Sequence, residues 1–246
     1  MEQLLSGQKA IITGGSRGIG FEIARAFVES GAEVLICGRS HDSLEAAHEA
    51  LLAGHPEARV FRFVADVGDS GQVAALFAYA DQQMGPLDIL VNNAGGGTFR
   101  PAAELTVAEW DTMIGTNLSG AFYCSREALQ RFRVKGKQSG AKWIVNISSL
   151  AAKNPFAGGS AYNASKFGLN GFSEALMLDH RHDDVRVTSI MPGSVDTGFN
   201  RGEPGEKSAW KIAPEDIAEI VLDILRKPHR TLVSRVEVRP SRPPQK

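Results

Sequence analysis

The feature that most constrains the fold is a short apolar segment near the N-terminus that runs directly into a glycine-rich turn. Residues Lys9–Thr13 form a predicted strand, and the turn at 14–20 follows with the spacing G-x-x-x-G-x-G. After it, Ile19, Ile23 and Phe27 recur at the period of a helix with one buried face. Glycines let a backbone approach an anion closely, and a helix N-terminus offers free N–H groups to it. The stretch therefore predicts the phosphate-binding turn of a nucleotide site, the alternative being a turn that only caps the helix.

The rest of the chain alternates between short β-rich segments and longer amphipathic ones. Predicted strands lie at 9–13, 33–37, 60–65, 87–91, 143–147, 185–191 and 231–238. Predicted helices lie between them, the clearest at 70–84, 106–133, 161–180 and 214–226. This alternation predicts an α/β fold with one doubly wound, seven-stranded parallel sheet. No linker divides the pattern, so residues 1–246 are expected to form a single domain, with a short lid, rich in glycine and charge, at about 198–211.

Composition narrows the partners of such a domain. The 246 residues carry a formal net charge of −1, so no global field attracts nucleic acid or an anionic membrane. The N-terminus shows no signal peptide, and no apolar run reaches the roughly 18 residues of a membrane span. Both cysteines, Cys37 and Cys124, lie in apolar surroundings, and the six histidines are scattered. We therefore expect a cytoplasmic protein that binds neither nucleic acid nor membrane, with no disulfide framework and no metal site.

The residues after the second predicted strand bear on which dinucleotide the glycine turn would hold. In a nucleotide-binding βαβ unit this position meets the adenosine ribose, where an acid accepts from a free 2′-hydroxyl and an arginine suits a 2′-phosphate. Here Gly38, Arg39 and Ser40 stand at the strand end, and the first acid, Asp42, fits better as the N-cap of the next helix. Arg17 in the glycine turn is a second cation. The pattern predicts NADP(H), unless both arginines are ordinary surface residues.

A second candidate site lies in the second half of the chain, where the predicted strand at 143–147 ends in Ser148 and Ser149. Open parallel sheets bind their ligands at the carboxyl ends of strands. Tyr162 and Lys166 follow four residues apart, and so share one face of the next helix. A free phenol has a pKa of about 10, and an ammonium group within roughly 4–6 Å is expected to lower the pKa of Tyr162. Tyr162 is thus a candidate general acid or base, and Ser149 a hydrogen-bonding partner for a substrate oxygen. A surface tyrosine beside a solvated lysine is the alternative.

Asparagines complete the pattern at two places. Residues 92–95 read NNAG at the end of the fourth predicted strand, where side-chain amides and small residues suit contact with a flat ligand. Asn117 interrupts a long helical stretch, although asparagine competes there for backbone hydrogen bonds. A kink or a polar task is therefore expected at Asn117.

Together these segments resemble the short-chain dehydrogenase/reductase family in its short single-domain form. The resemblance covers nearly the whole chain. It rests, in the order and spacing of the family, on TGGSRGIG at 13–20, NNAG at 92–95, Asn117, Ser149, Tyr162-x-x-x-Lys166 and Pro192-Gly193. It implies a three-layer Rossmann fold with strand order 3-2-1-4-5-6-7, a nicotinamide cofactor, and a hydride exchanged with a carbonyl or alcohol substrate.

The resemblance implies that Asn117, Ser149, Tyr162 and Lys166 are the catalytic residues. Tyr162 would act as acid or base, and Ser149 would hold the substrate carbonyl. Lys166 would lower the pKa of Tyr162 and bind the nicotinamide ribose. Asn117 would hold a water that links Lys166 to solvent.

The resemblance also implies how the cofactor, NADP(H), is bound. Asp66 would meet the adenine edge, Asn93 the adenosine-side ribose, and Val195 and Thr197 the carboxamide. The full implied set is Gly14, Ser16, Arg17, Gly18, Ile19, Gly20, Arg39, Ser40, Asp66, Val67, Asn93, Ala94, Gly95, Tyr162, Lys166, Pro192, Gly193, Val195 and Thr197.

The implied activity is that of an NADPH-dependent carbonyl reductase, reversible as an alcohol dehydrogenase. Two alternatives are a binding protein that senses NADP(H) without turnover and an NAD-linked alcohol dehydrogenase. The last predicted strand lacks the Gly-Gly pair of many oxoacyl-carrier reductases, which argues against an acyl-carrier substrate and bears on the usual C-terminal subunit contact. Phe156, Phe199 and Trp210 would give a small-molecule pocket an apolar wall. The long helices at 106–133 and 161–180 imply a homodimer or homotetramer.

Overall fold

The computed structural model describes residues 3–133, 142–199 and 209–244, which contain one sheet of seven parallel strands. The strand order is β3-β2-β1-β4-β5-β6-β7, as the family resemblance implies. The strands are β1 (Lys9–Thr13), β2 (Glu33–Gly38), β3 (Val60–Val64), β4 (Ile89–Asn92), β5 (Lys142–Ile147), β6 (Val185–Pro192) and β7 (Arg235–Val238).

Helices cover both faces of the sheet, which confirms the Rossmann-like three-layer prediction. They are α1 (Gly18–Glu29), α2 (His41–Gly54), α3 (Ser70–Gln83), α4 (Val107–Ile114), α5 (Gly120–Arg133), α6 (Ser160–His180) and α7 (Pro214–Leu225). Short 3₁₀ turns lie at Leu150–Ala152 and Arg181–Asp183. None of the helices in the described ranges is long and apolar enough to cross a membrane.

The sheet separates two apolar clusters, and neighbouring residues of one strand point into different ones. Ile12 of β1 packs in the cluster that contains Phe27, under α1, α2 and α7. Ile11 packs in the cluster that contains Phe77, under α3, α5 and α6. Every residue of β5 and β6 is buried, because helices cover a central parallel strand on both faces. The core thus fixes the strand ends on which the site is built.

The structure revises three boundaries. The predicted helix 106–133 is interrupted by a π-helix at Gly115–Ser119, which contains Asn117 and confirms the expected irregularity there. Only Arg235–Val238 of the predicted last strand pairs with β6, because Thr231 turns back to Pro228. The N-cap of α2 is Ser40, whose Oγ accepts from the Ser43 N–H at 3.3 Å. Asp42 lies in the first turn instead. The predicted lid falls largely on 200–208, outside the described residues.

Candidate active site

The candidate catalytic residues meet where β5 ends and α6 begins. Ser149 follows β5 as the N-cap of the 3₁₀ turn, and its Oγ accepts from the Ala151 N–H at 3.1 Å. Tyr162 and Lys166 lie on one face of α6, and the side chains of Ser149 and Tyr162 are hydrogen-bonded to each other. The helix start is fixed by Asn163, whose Nδ2 donates to the Phe156 carbonyl at 3.1 Å. The structure therefore brings the predicted serine, tyrosine and lysine into one site.

Lys166 is buried, and its surroundings weaken its charge. Its Nζ donates to the Ile147 carbonyl at 2.9 Å and lies 5.9 Å from the centre of the Tyr162 ring. Because burial penalises the charged form, it lowers the pKa of Lys166 to about 8. The pKa of the ammonium group therefore lies close to neutral pH, so a modest rise in pH removes its proton.

The pKa of Tyr162 is raised, not lowered as the sequence predicts. Burial is the main cause, and the hydrogen bond with Ser149 opposes it. The prediction was wrong because a lysine with a pKa of about 8, engaged by the Ile147 carbonyl, does not offset the burial of the phenol. A raised pKa keeps the Tyr162 hydroxyl protonated at neutral pH, the form that donates a proton.

Asn117 is fully buried and clamps the loop after β4. Its Oδ1 accepts from the Gly96 N–H at 2.9 Å, and its Nδ2 donates to the Gly96 carbonyl at 2.9 Å and to Ser165 Oγ at 3.0 Å. A Cβ placed on Gly95 would lie 3.2 Å from Asn117 Oδ1 and 3.7 Å from Lys166 Nζ. Asn117 therefore adjoins the lysine, and the loop-fixing role of its side chain is one that the sequence does not reveal. Its role in holding a relay water stays a prediction.

The glycine turn is held from β4 by hydrogen bonds of Asn93. Its Nδ2 donates to the carbonyls of Thr13 and Gly14, both at 3.0 Å. A Cβ on Gly20 would lie 2.3 Å from that Nδ2, so no other residue fits at position 20. Gly14 and Gly18 have φ of +64° and +56°, which favour glycine. The Nδ2 donors of Asn93 are occupied by the carbonyls of the turn. If Asn93 binds the ribose as predicted, it must therefore do so through its Oδ1 or its backbone.

Thr13 is a functional residue that sequence reasoning missed. Its Oγ1 accepts from the N–H groups of Asn93 and Ala94, both at 3.0 Å, and so joins the ends of β1 and β4. A buried hydroxyl at the last position of a strand, next to the glycine turn, is the signal that could have identified it.

On the opposite side, the segment after β6 crosses the glycine turn. A Cβ on Gly18 would lie 3.0 Å from Thr197 Cβ, so these two residues are in contact. Val195 forms a parallel bridge with Ile212, and the Gly193 N–H donates to the Val238 carbonyl at 2.8 Å. The predicted carboxamide residues, Val195 and Thr197, therefore border the same cleft as the turn.

Asp66, which the resemblance places at the adenine edge, and Val67, a member of the implied cofactor-binding set, have clear structural tasks. Asp66 Oδ1 accepts from the Gly68 N–H at 2.9 Å and shapes the loop after β3. Val67 is buried against Gly120. Their contacts with the cofactor stay predictions.

Two exposed arginines flank the corner where β2 ends. Arg17 is the N-cap of α1, and Arg39 follows β2. Ser16 lies beside Gly38, so the glycine turn and the end of β2 are neighbours. Within the described ranges neither arginine forms an ion pair.

Aromatic rings form the remaining wall of the site. The predicted Phe156 and Phe199 lie beside Tyr162, with ring-centre distances of 6.4 Å and 6.0 Å. Phe99, which the sequence analysis did not identify, lies nearer, with 5.4 Å between its ring centre and that of Tyr162. Trp210 makes no ring contact with Tyr162 in the part of the chain that the structure describes.

Comparison with known proteins accounts for this arrangement. The sequence profile of the family described as short chain dehydrogenase matches residues 8–207. The chain belongs to the short-chain dehydrogenase family. An uncharacterised oxidoreductase of Staphylococcus haemolyticus is 33% identical over 237 residues, which cover 96% of this chain and 98% of the relative.

Solved structures of short-chain dehydrogenase relatives superpose over nearly the whole chain. An alcohol dehydrogenase of the archaeon Thermococcus sibiricus, complexed with 5-hydroxy-NADP, has a TM-score of 0.87 at 29% identity, covering 97% of this chain and 99% of its own. A metagenomic short-chain oxidoreductase in complex with NADP has a TM-score of 0.83 at 35% identity, covering 98% and 100%.

Proposed function

We propose that this protein is an NADPH-dependent oxidoreductase that transfers a hydride between the nicotinamide and a small carbonyl or alcohol substrate. The observation that carries the proposal is the half-buried Tyr162, whose hydroxyl interacts with the Ser149 side chain and whose ring centre lies 5.9 Å from Lys166 Nζ one helical turn away. The hydroxyl is protonated at neutral pH, so it is the group that can donate a proton to a substrate oxygen in carbonyl reduction. The whole chain, 1–246, acts in this proposal as one domain.

The glycine turn and its surroundings fit a dinucleotide phosphate. Positive φ values at Gly14 and Gly18, and the absence of space for a side chain at Gly20, leave bare backbone at the N-terminus of α1. Two solved relatives carry NADP or a derivative, which supports the same cofactor here. Arg17 and Arg39, both exposed at the end of β2, would bind the 2′-phosphate that distinguishes NADPH from NADH.

The chain's own residues perform the proton chemistry in this proposal. The nicotinamide, when bound, supplies the hydride in the reducing direction and accepts it in the reverse. Ser149 holds the substrate oxygen beside Tyr162, and Tyr162 donates its hydroxyl proton to that oxygen. Lys166 binds the ribose and, when charged, stabilises the phenolate that remains. Asn117 keeps the loop at Gly95 and Gly96 in place beside Lys166.

A panel of ketones and oxoesters assayed for NADPH oxidation tests the proposal. Turnover with NADPH is expected. Tight NADPH binding with no turnover on any compound would favour the sensing protein, and higher kcat/KM for alcohols with NAD would favour the NAD-linked dehydrogenase.

We also propose a cytoplasmic homodimer or homotetramer. Exposed apolar side chains lie on the long helices α4, α5 and α6 and would be covered by a second copy. They are Trp110, Phe122, Phe167 and Leu178. Sedimentation at micromolar concentration is expected to show a dimer or tetramer, and a monomer would refute this part of the proposal.

A further inference from the structure

The kind of substrate that fits beside Tyr162 can be inferred from the rings around it. Phe99, Phe199 and Phe156 lie 5.4 Å, 6.0 Å and 6.4 Å from the Tyr162 ring, centre to centre. Phe99 and Phe156 also contact each other at 5.5 Å. All these distances fall in the range of about 4.5–7 Å at which aromatic pairs attract. We call Phe99, Phe156 and Phe199 the phenylalanine cage.

The cage presents apolar surface at the reacting group. Phe99, Phe156 and Phe199 are 39%, 45% and 43% exposed. Three neighbouring phenylalanines with so much free surface gain from being covered by an apolar ligand, since ligand pockets are lined mostly by apolar and aromatic side chains. The cage surrounds the phenol that must come within hydrogen-bonding reach of the substrate oxygen. The groups attached to the carbonyl carbon therefore come to lie among these rings.

Glycine backbone fixes the orientation of the rings. A Cβ on Gly97 would lie 2.6 Å from Phe99 Cζ and 2.9 Å from Phe199 Cε1. A Cβ on Gly159 would lie 2.6 Å from Phe156 Cε2. Any larger residue at either position would displace a ring, so both glycines are part of the cage.

Hydrogen bonds tie the cage segments together. The Arg100 N–H donates to the Gly158 carbonyl at 2.8 Å and joins the loop after β4 to the loop after β5. The Phe156 carbonyl accepts from Asn163 Nδ2 at 3.1 Å, which anchors Phe156 to α6. A cage held in this way binds a rigid ligand with little loss of conformational entropy.

Among the described residues, Arg100 and Lys153, the basic side chains nearest the cage in sequence, are already paired. Arg100 forms an ion pair with Glu109 at 3.0 Å, and Lys153 forms one with Glu237 at 2.6 Å. A carboxylate or phosphate on the substrate would have to break one of these pairs. The electrostatics of the described residues therefore favour a neutral substrate.

We propose that the substrate is a neutral ketone with an apolar ring, aromatic or alicyclic, that is attached to its carbonyl carbon or contains it, or the corresponding secondary alcohol. This inference rests on the proposed function. In the reduction, the hydride from NADPH forms a C–H bond at the carbonyl carbon, and the C=O π bond breaks. The oxygen takes the Tyr162 hydroxyl proton, NADP⁺ is left, and Tyr162 regains a proton from solvent.

The test compares ketones matched in carbon number or in ring. With NADPH, kcat/KM for acetophenone is expected to exceed that for acyclic 2-octanone by about 10-fold or more, because the rigid ring makes aromatic contacts and loses less conformational entropy on binding than a hexyl chain. Cyclohexanone should exceed 2-hexanone in the same sense, and acetophenone should exceed the anionic 4-acetylbenzoate.

Substitutions in the cage test whether it causes the preference for ring-bearing ketones. Phe99→Ala and Phe156→Ala are expected to reduce the acetophenone to 2-octanone ratio several-fold, and Gly97→Ala to reduce it by displacing two rings. Phe61→Ala, on β3 at the far edge of the sheet, is the matched control and should keep the ratio. NADP⁺ affinity, measured by calorimetry, should stay unchanged in all four variants and so shows that each is folded.

Calorimetry with product alcohols gives a readout that does not require turnover. The protein with NADPH, which cannot react with an alcohol, is expected to bind 1-phenylethanol more tightly than 2-octanol, and Phe156→Ala should remove the difference. Equal or better turnover and binding of acyclic or anionic compounds would overturn the ring assignment, while their turnover would still support the proposed function. Binding of the ring alcohol in the cage without turnover of any ketone would support the inference and refute the proposed function. Failure of both readouts would refute both.

Discussion

The cofactor side and the substrate side of the cleft are held together in different ways. On the cofactor side, buried polar groups clamp backbone: Thr13 Oγ1 and Asn93 Nδ2 together make four hydrogen bonds between the ends of β1 and β4. On the substrate side, half-exposed rings rest on glycine backbone at Gly97 and Gly159. The hydrogen bonds fix the position of the glycine turn closely. The rings define the shape of the opposite side, and that shape changes if a ring is replaced. The difference teaches that directional polar contacts fix backbone positions, while apolar contacts define the shape of a surface.

Tyr162 and Lys166 lie between these two sides and belong to both. Lys166→Ala is expected to have the largest effect of any single change, because it removes both the ribose contact and the cation beside the phenolate. KM for NADPH should rise, and kcat should fall by more than about 10²-fold. Steady-state kinetics with varied NADPH measures both. A fall in kcat alone would show that Lys166 does not bind the ribose.

Removal of the Tyr162 hydroxyl distinguishes an effect on cofactor binding from an effect on the chemical step. Tyr162→Phe keeps the ring in contact with the cage and should leave NADPH affinity unchanged, while turnover falls by at least about 10²-fold, since the proton donor is lost. Fluorescence titration with NADPH and initial rates measure the two quantities. Turnover near that of the unaltered protein would remove Tyr162 from the chemistry.

Arg17 in the glycine turn and Arg39 at the end of β2 allow a test of the cofactor side alone, through the preference for NADPH over NADH. Each charged hydrogen bond to the 2′-phosphate is worth roughly 1.5–3 kcal/mol, so Arg17 and Arg39 together should favour NADPH over NADH by about 10²-fold in kcat/KM. Gly38→Asp combined with Arg39→Ala should reverse the order. Arg226→Ala, an exposed arginine paired with Asp223 on α7, is the control and should change nothing. Equal use of NADH by the unaltered protein would show that Arg39 is not a phosphate ligand.

The smallest expected effect is on the pH dependence of stability. Burial lowers the pKa of Lys166 from 10.5 to about 8, so between these values the unfolded chain binds more protons than the folded one. The contribution of Lys166 to the free energy of unfolding should therefore rise with pH in this window, by about 1–2 kcal/mol between pH 8 and 9.5. Burial raises the pKa of the Cys37 and Cys124 thiols, whose contributions fall with pH in the same window, so the Lys166 contribution is measured as a difference between variants. Above pH 10 the raised pKa of Tyr162 acts in the opposite direction.

Urea unfolding at several pH values measures this dependence. The free energy of unfolding of the unaltered protein relative to Lys166→Met should rise with pH by this amount, while that relative to Lys227→Met, at an exposed lysine, should not change with pH. The same slope in Lys166→Met and the unaltered protein would show that the Lys166 amine is not buried in its neutral form.

Strand–helix alternation was enough to predict a doubly wound parallel sheet, because burial on both faces requires apolar runs such as those of β5 and β6. The order of the strands came from the family resemblance. Residue spacing was enough to bring Ser149, Tyr162 and Lys166 together. Element ends were less predictable, as at β7 and at the Ser40 cap of α2, because a turn or a side-chain hydrogen bond decides them.

Two properties of the site depend on three-dimensional packing and could not be predicted from spacing. The pKa of Tyr162 is set by burial, which outweighs the lysine four residues away. Phe99 joins Phe156 and Phe199 only because the Arg100 N–H binds the Gly158 carbonyl and brings two distant loops together. The clamp made by Thr13 likewise joins β4 residues about 80 positions along the chain.

The central claim is that this cleft exchanges a hydride between NADPH and a carbonyl carbon while Tyr162 supplies the proton. Isotope transfer tests this claim most directly. The protein is supplied with NADPH deuterated at both C4 positions and with acetophenone in ordinary water, and the product is examined by mass spectrometry and NMR. The account predicts 1-phenylethanol with one deuterium on the carbinol carbon, and almost none formed by Tyr162→Phe. Unlabelled alcohol, or labelled alcohol formed equally fast by Tyr162→Phe, would contradict it.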